Sequence, residues 1–423
     1  EKYANRPEVA RRFVEEAQIG GQLQHPGVVP VYDIGHFGDR PFFTMKLIEE
    51  KNLAERLRGR RAEDGGQKAE GSGQISTLRP PPSALRLPPS AFRPMPTAEH
   101  LILRELLARD PDWVSGSALA TKLGVSRVAI WHHMEKLRAA GFIFEAQRAR
   151  GYRITQKPSA AHASLIDTQL KVRPRGFSLL VLPETDSTND EAARQLAAGR
   201  PVPFAIFAHR QTKGRGRLGR TWHSQANGNL YLSVAFRPRV APDRMGAFTL
   251  WMGLNVCELL ANFASLQPGL KWPNDILFDG RKAGGMLTEA RIDADEIRDL
   301  VFGLGLNINS PSADWPAALG GRAISLSEIT GTPLDFNRLA AALVGRILLA
   351  YQNFIDGSYT TSFADLWHRF DVLRGRSIAL LEGGRRHAGT VTGLDDEGAL
   401  LLRDENGRTQ RYRAGEVTLE KPS

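Results

Sequence analysis

Residues 59–96 most limit how this chain can fold. Gly, Ser, Glu and Pro dominate there, with Pro80-Pro81-Pro82, Pro88-Pro89 and Pro94-Met95-Pro96. So little apolar surface cannot offset the entropy of ordering the backbone, and a disordered linker is expected. The 423 residues therefore cannot share one core. A helical pattern at 97–141 runs into an extended piece at 142–154, and a shorter linker at 155–163 leads to the longest block. There, apolar β-rich runs at 179–182, 204–208 and 230–236 alternate with helical patterns at 190–198 and 245–261. The last stretch holds strand-like runs at 377–381, 387–393, 399–404 and 409–413 between Gly-rich turns, as in a small β-barrel. The expectation is a multidomain α+β chain: a fragment at 1–58, the linker at 59–96, and folded units at 97–155, 164–374 and 375–423.

A composition of 42% hydrophobic and 24% charged residues is that of a globular protein. No apolar run approaches the roughly 18 residues a membrane helix needs, and no signal or transit pattern opens the chain. A soluble, cytoplasmic protein with no membrane partner is expected. The net charge of +10 suits polyanionic partners such as nucleic acid or nucleotides, but its placement says more than its sum. Cys257 is the only cysteine and lies in the apolar helical run 254–260, where a thiol acts as a small hydrophobe.

Gln211-Thr-Lys-Gly-Arg-Gly-Arg-Leu-Gly-Arg-Thr-Trp222 packs four cations and three glycines into a dozen residues. Such a run makes a poor core element, because glycine raises backbone freedom and like charges repel without an anion. A mobile loop is expected, able to close over a phosphate or carboxylate and exclude water. Taken alone, the run reads first as a solvated basic loop or a nucleic-acid patch. Three further motifs weigh against that. Thr185-Asp-Ser-Thr-Asn-Asp190 follows a strand and opens a helix, serving as an N-cap cluster and also offering hydroxyl and amide groups to a compact polar head. Leu270-Lys-Trp-Pro-Asn-Asp-Ile276 carries a lysine beside a backbone-fixing proline. Arg281-Lys-Ala-Gly-Gly-Met-Leu-Thr-Glu289 and Val301-Phe-Gly-Leu-Gly-Leu-Asn-Ile-Asn309 are strand-like, with glycines that permit close approach.

In this order and at these spacings, the motifs resemble those of biotin protein ligases over roughly residues 177–419. The resemblance implies an α/β catalytic domain with a mixed sheet, a C-terminal SH3-like β-barrel, and ATP-dependent attachment of biotin to a lysine of a biotin carboxyl carrier protein such as that of acetyl-CoA carboxylase. It implies that Ser187, Thr188, Asn189, Gln211, Arg215, Gly216, Arg217 and Lys271 line the biotin and acyl-phosphate site, with Trp222 and Asn307 in the nucleotide region. In that reading the biotin carboxylate attacks the α-phosphate of ATP, and Lys271, Arg215 and Arg217 are the catalytic cations that offset the meeting of two anions. Mg²⁺ accompanies ATP, its ligands unassigned. The closed 211–222 loop would then shield biotinyl-5′-adenylate from water.

From Val114 to Leu137, two short helical patterns meet at Gly124. Ala118, Leu119 and Leu123 supply one apolar face, and Val128, Ile130, Trp131, Met134 and Leu137 the other, with Trp131 expected in the core. This is a helix-turn-helix. Ser126 would cap the second helix, sending Arg127 and His132 or His133 toward a major groove, while Arg148, Arg150 and Arg153 form a wing. Adjacent histidines on a helix point about 100° apart, so His132 and His133 are not read as a metal site. The region resembles the winged helix of bifunctional biotin ligases that repress biotin genes, which implies operator DNA as a partner. Whether the chain forms a homodimer stays open.

Residues 1–58 resemble part of a bacterial serine/threonine protein kinase. Arg12-Phe-Val-Glu-Glu-Ala-Gln-Ile looks like its αC helix, Glu16 matches the helix glutamate, and His25-Pro-Gly-Val-Val-Pro-Val-Tyr-Asp leads to the next strand. A Gly-rich loop, its strand lysine, and the His-Arg-Asp and Asp-Phe-Gly segments are missing, so a working kinase is not expected; a start at Glu1 suggests a shortened or fused product. The rival from another class is a DNA-binding regulator that only senses biotin. Intact Arg215, Arg217 and Lys271 speak against it.

Overall fold

The structure, a computed structural model, describes residues 31–37, 40–45, 97–224 and 228–419. The kinase-like helix at 12–19 and the linker at 59–96 lie outside the described residues. From the N-terminal fragment, strands β1 (Val31–Phe37) and β2 (Arg40–Met45) pair antiparallel.

Helices α1 (Ala98–Ala108), α2 (Gly116–Leu123) and α3 (Arg127–Ala139) form the helix-turn-helix. Each begins at a hydroxyl cap: the side chains of Thr97, Ser115 and Ser126 accept from the amides of His100, Ala118 and Ala129. Gly124 ends α2 at φ 68°, a left-handed conformation that a side chain would oppose. Ile102, Leu103, Leu106, Leu119, Ile130, Met134 and Leu137 form the core. Strands β3 (Ile143–Gln147) and β4 (Gly151–Gln156) make an antiparallel wing, and Val114 bridges to Tyr152. One expectation fails. Val128 and Trp131 are 65% and 48% exposed rather than in the core. At about 100° per residue, Ile130, Met134 and Leu137 fall on one stripe, and Val128 and Trp131 on another that points away from it.

The expected second linker is folded. The α4 helix (Ala163–Gln169) places Leu165 in the winged-helix core and Ile166 in the catalytic core. Asn337 accepts from the His162 amide at 2.8 Å and donates to the carbonyls of Pro158 and Ala160, fastening the preceding strap.

The catalytic sheet has seven strands: β5 (Ser178–Thr185), β6 (Phe204–Gln211), β7 (Asn229–Phe236), β8 (Gly269–Lys271), β9 (Asp275–Phe278), β10 (Arg281–Asp293) and β11 (Glu296–Asn307). Their order is β5-β6-β7-β11-β10-β9-β8, parallel only between β5 and β6. Side-chain alternation sorts the two faces. Leu230, Leu232, Val234, Leu300, Phe302, Leu304 and Leu306 join the main core, which also takes in helices α6 (Phe248–Ala264), α8 (Phe336–Ile355) and α9 (Thr360–Phe370). The opposite face holds a smaller cluster under α5 (Thr188–Ala197), where Ala192 and Leu196 meet Phe204, Ile206, Ala235 and Val301. Beyond that cluster the same face carries Tyr231, Ser233, Gly285, Gly303 and Gly305, leaving room for a cavity.

The sequence reading of no membrane-length apolar run needs one amendment. The helical stretch Pro242–Ala264 reaches a mean hydropathy of 1.2, enough by length and composition. Its Leu250, Trp251, Met252, Leu254, Val256 and Cys257 are nevertheless buried in the main core. A short helix, α7 (Leu326–Thr330), opens with a Ser325/Glu328 capping box.

Five strands close the chain: β12 (Ser377–Glu382), β13 (Arg385–Leu394), β14 (Leu400–Arg403), β15 (Thr409–Tyr412) and β16 (Glu416–Leu419). They form an antiparallel sheet in the order β15-β14-β13-β12-β16. The strand β16, not expected from sequence, pairs with β12.

Candidate active site and nucleic-acid face

The N-terminus of α5 stands over the glycine-bearing face of the sheet. Ser187 occupies the cap position and is 3% exposed, yet its hydroxyl makes no cap bond. Asp186 instead accepts from the Ser187 amide at 2.8 Å and is held by Arg194 at 2.7 and 2.9 Å. The Arg194 hydrogen bonds keep the Asp186 carboxyl well below the usual carboxylate range. The dual role expected of the Ser-Thr-Asn cluster is thus divided: Asp186 serves the turn, and Ser187 faces the cavity.

A polar chain follows. Gln211 Oε1 accepts from the Thr188 amide at 2.8 Å, and Gln211 Nε2 donates to Ser224 Oγ at 3.0 Å. Ser233 Oγ lies 2.8 Å from Thr188 Oγ1 and 2.5 Å from Asn189 Oδ1. Asn189 Nδ2 donates to Glu289 Oε2 at 2.6 Å and to the Leu287 carbonyl at 3.2 Å.

The 211–222 run, expected to be mobile, folds back on itself. The Gly216 amide donates to the Arg220 carbonyl at 2.7 Å, and the Trp222 amide to that of Gly214 at 2.9 Å. Arg215 reaches inward to Glu289 and to Asp190 Oδ1. Arg220 pairs with Glu416 of β16, tying the run to the C-terminal sheet. The Trp222 ring lies over Gly285 and Gly305, its indole N–H buried without a partner among the described residues. The Lys282 ammonium sits 5.4 Å from the centre of that ring and pairs with Asp275 at 2.6 Å.

The cations of the cavity thus divide into two kinds. Arg215, Arg220 and Lys282 are each paired with a carboxylate. Arg217 and Lys271 line the same cavity with no ion pair to any described carboxylate. Burial lowers the pKa of both, because removal from water disfavours their charged forms, while Asp275 at longer range opposes the drop. An entering anion would relieve that penalty. Buried Glu289 shows the converse: burial pushes its carboxyl up, and the Arg215 guanidinium opposes the rise.

All eight residues expected around biotin line this one cavity: Ser187, Thr188, Asn189, Gln211, Arg215, Gly216, Arg217 and Lys271. Trp222 lines it too. Asn307 is not among the lining residues; it is buried at the end of β11, where its amide donates to the Ile324 carbonyl. Sequence reasoning missed Asp190, Glu289, Ser233, Arg220 and Glu416. Glu289 had a readable signal: it shares strand parity with Gly285 and Leu287, and a buried acid on that face demands a cation. Among the described residues, no group of three or more His, Cys, Asp or Glu side chains could hold a metal ion.

On the winged helix, Ser126 Oγ is used by its own helix, accepting from the Ala129 amide at 3.1 Å. Arg127 and Arg148 line a groove between α3 and the wing, with Val128, Trp131, Gln147 and Tyr152. His132 is exposed and meets the Trp131 ring edge-on, whereas His133 turns inward to Glu99 at 2.9 Å. Arg150 and Arg153 stack on Trp113 at 4.6 and 5.0 Å, and Arg153 also pairs with Glu145. Only Arg148 of the wing arginines stands clear of these contacts.

A mixed sheet with an α5 hydroxyl cluster, a glycine-lined cavity and two cations unpaired among the described residues defines a cofactor-attaching ligase fused to a winged helix. Comparison with known proteins agrees. Residues 181–307 match the Biotin/lipoate A/B protein ligase family, 99–153 an HTH domain, and 375–419 the Biotin protein ligase C terminal domain. The bifunctional ligase/repressor BirA of Bacillus subtilis is 34% identical over 309 residues, 72% of this chain and 93% of that protein. Its Escherichia coli counterpart is 31% identical over 74% of this chain and 95% of its own. The Aquifex aeolicus biotin protein ligase in complex with biotin and ATP superposes with a TM-score of 0.50 at 31% identity, covering 58% of this chain and 99% of that one. The chain belongs to the bifunctional biotin protein ligase family. A 58-residue match at 31% identity to a Protochlamydia amoebophila serine/threonine-protein kinase, PknD, covers 14% of this chain and 6% of that protein.

Proposed function

We propose that the cavity binds biotin beside ATP, forms biotinyl-5′-adenylate, and passes the biotinyl group to a lysine of a biotin carboxyl carrier protein. The observation that carries this reading is the placement of Arg217 and Lys271, both without a carboxylate partner among the described residues, in the same cavity as the Ser187, Thr188, Gln211 and Ser233 polar chain. The polar chain suits the ureido head of biotin, and the cations suit its carboxylate where it meets phosphate. A carboxylate oxygen attacks the α-phosphorus, the bond to the β-phosphate oxygen breaks, and pyrophosphate leaves. Lys271 and Arg217 offset the charge that gathers along that path. Arg215, expected among these cations, is committed to Glu289 and Asp190 and acts instead by positioning the loop. In the second step the neutral acceptor amine attacks the acyl carbon, the acyl–phosphate bond breaks, AMP leaves, and the amine loses a proton. Trp222, whose indole N–H has no partner among the described residues, suits a place at the nucleotide. Mg²⁺ would accompany ATP as the counter-ion of its phosphates, and among the described residues no group of three or more His, Cys, Asp or Glu side chains offers it a dedicated site.

The winged helix is the DNA-binding part, with Arg127, His132 and Arg148 facing an operator and phosphate contacts supplying much of the affinity. A homodimer would place two such helices on a two-fold operator. Transfer of labelled biotin to a purified carrier domain with ATP and Mg²⁺, in the full chain and in Lys271→Ala, tests the ligase. Transfer that depends on Lys271 supports the reading. Biotin binding without transfer by the unaltered chain would leave a biotin-sensing regulator.

A further inference from the structure

The recognition helix α3 is apolar on two sides. One side, Ile130, Met134 and Leu137, is its core stripe. The other, Val128 and Trp131, is exposed at 65% and 48% and sits one turn apart on the wall of the groove beneath the wing. Arg127 and Arg148 line the same groove, and neither is paired with a described carboxylate. An apolar pair beside unpaired cations calls for a partner that is anionic overall yet offers apolar points at helix depth. Duplex DNA has that character: phosphates flank a major groove whose only apolar group is the thymine 5-methyl.

Resting on the DNA-binding reading above, we propose that Val128 and Trp131 read thymine methyl groups in the operator, so that sequence selection by this winged helix is largely apolar. The side chains within reach divide the work. Arg127 is suited to a guanine edge or a phosphate, and Arg148 to the backbone. His132 lies edge-on to Trp131, with ring centroids 4.9 Å apart, and limits how far that ring can swing. Gln147 on the wing is engaged by Arg150 at 3.2 Å. On α3, Glu135 and Lys136 are paired with Arg138 and Glu99, which leaves exposed Arg127 and His132 as its polar readers, and discrimination at the positions facing Val128 and Trp131 falls to T against C.

The test begins by selecting bound duplexes from a randomised DNA pool with the full-length chain, biotin and ATP. The enriched duplex is then remade with deoxyuridine replacing each thymidine in turn, which removes only the methyl group. The expected result is a loss of about three- to fivefold in affinity per contacted methyl, the scale of one buried methyl(ene) group. Val128→Ala and Trp131→Ala should each bind the thymidine and deoxyuridine duplexes alike at one position, while keeping the parent's melting temperature and its salt-dependent binding to random DNA. Equal binding of every deoxyuridine duplex by the parent would overturn the proposal and leave the DNA-binding reading intact. A shift in oligomeric state in Trp131→Ala, with operator affinity unchanged, would make the face a self-association surface instead. A pool from which nothing is enriched would overturn the DNA-binding reading, and this proposal with it.

Discussion

Arg215 grips Glu289 with both terminal nitrogens, Nη1 to Oε1 and Nη2 to Oε2, each at 2.8 Å. Glu289 is 2% exposed on β10, and the arginine belongs to the run that covers the cavity, so this pair pins the cover to the sheet. Asp190 of α5 holds the same guanidinium at 2.7 Å, so sheet, helix and loop meet at one side chain.

Replacing Glu289 with alanine should cost about 2–4 kcal/mol, since it leaves a half-buried guanidinium short of charge and Asn189 short of an acceptor. Urea unfolding monitored by tryptophan fluorescence measures it. Biotin binding should weaken in parallel, because Asn189 stands in the polar chain. A loss below about 0.5 kcal/mol, the range of an ordinary surface change, would show that the pair does not anchor the loop.

Lys271→Ala and Arg217→Gly should behave in the opposite way. Neither cation has an ion pair among the described residues to lose, so unfolding free energy should move little, whereas pyrophosphate release should slow by about 10²- to 10³-fold in Lys271→Ala, the scale of one lost transition-state charge contact. Arg217→Gly should in addition release biotinyl-adenylate into solution and label bystander proteins. Retention of the intermediate at the parent level would remove Arg217 from that role.

Local chemistry was legible in the sequence wherever adjacent residues carried it. The hydroxyl cap at Ser126 and the strand-like runs that became β7 and β11 appear where the pattern put them. Residues joined only by the fold were less legible. Glu416 reaches Arg220 across nearly two hundred positions of chain, and Glu289 reaches Arg215 across 74. Trp131 failed for a different reason: its size argued for burial, but it lies about 90° from the centre of the Ile130, Met134 and Leu137 stripe, at the edge of the buried face, and is exposed there. Asn307 carried a motif position, yet its amide is taken up by Ile324.

Lys271 also sets a pH expectation. In the proposed mechanism its protonated form neutralises phosphate, and burial lowers its pKa from the ordinary lysine value, with Asp275 opposing. The cationic fraction, and with it the adenylation rate, should fall as pH rises through that lowered value, before an exposed lysine would titrate. Lys271→Arg keeps its proton throughout and should move the alkaline limb upward even if its maximum rate is lower. A pH profile of pyrophosphate exchange compares the two. Coincident alkaline limbs would assign the titration to another group.

Gly303 and Gly345 make a matched pair of alanine substitutions. A Cβ on Gly303 would lie 2.3 Å from Asn189 Oδ1, against a side chain already fixed by Ser233, Glu289 and the Leu287 carbonyl. Asn189 has no room to yield without breaking that chain. Gly303→Ala should therefore raise the KM for biotin by about tenfold and cost about 1–3 kcal/mol, as overpacking does. On α8, a Cβ at Gly345 meets only Leu170 at an ordinary 3.7 Å, and the helix should gain about 0.5–1 kcal/mol with kinetics unchanged. Steady-state kinetics and thermal melts of both variants separate a steric effect on the biotin pocket from a general response to added bulk. If Gly303→Ala turned over biotin like Gly345→Ala, the Asn189 side chain would have another place to go, and its position in the polar chain would not matter to binding.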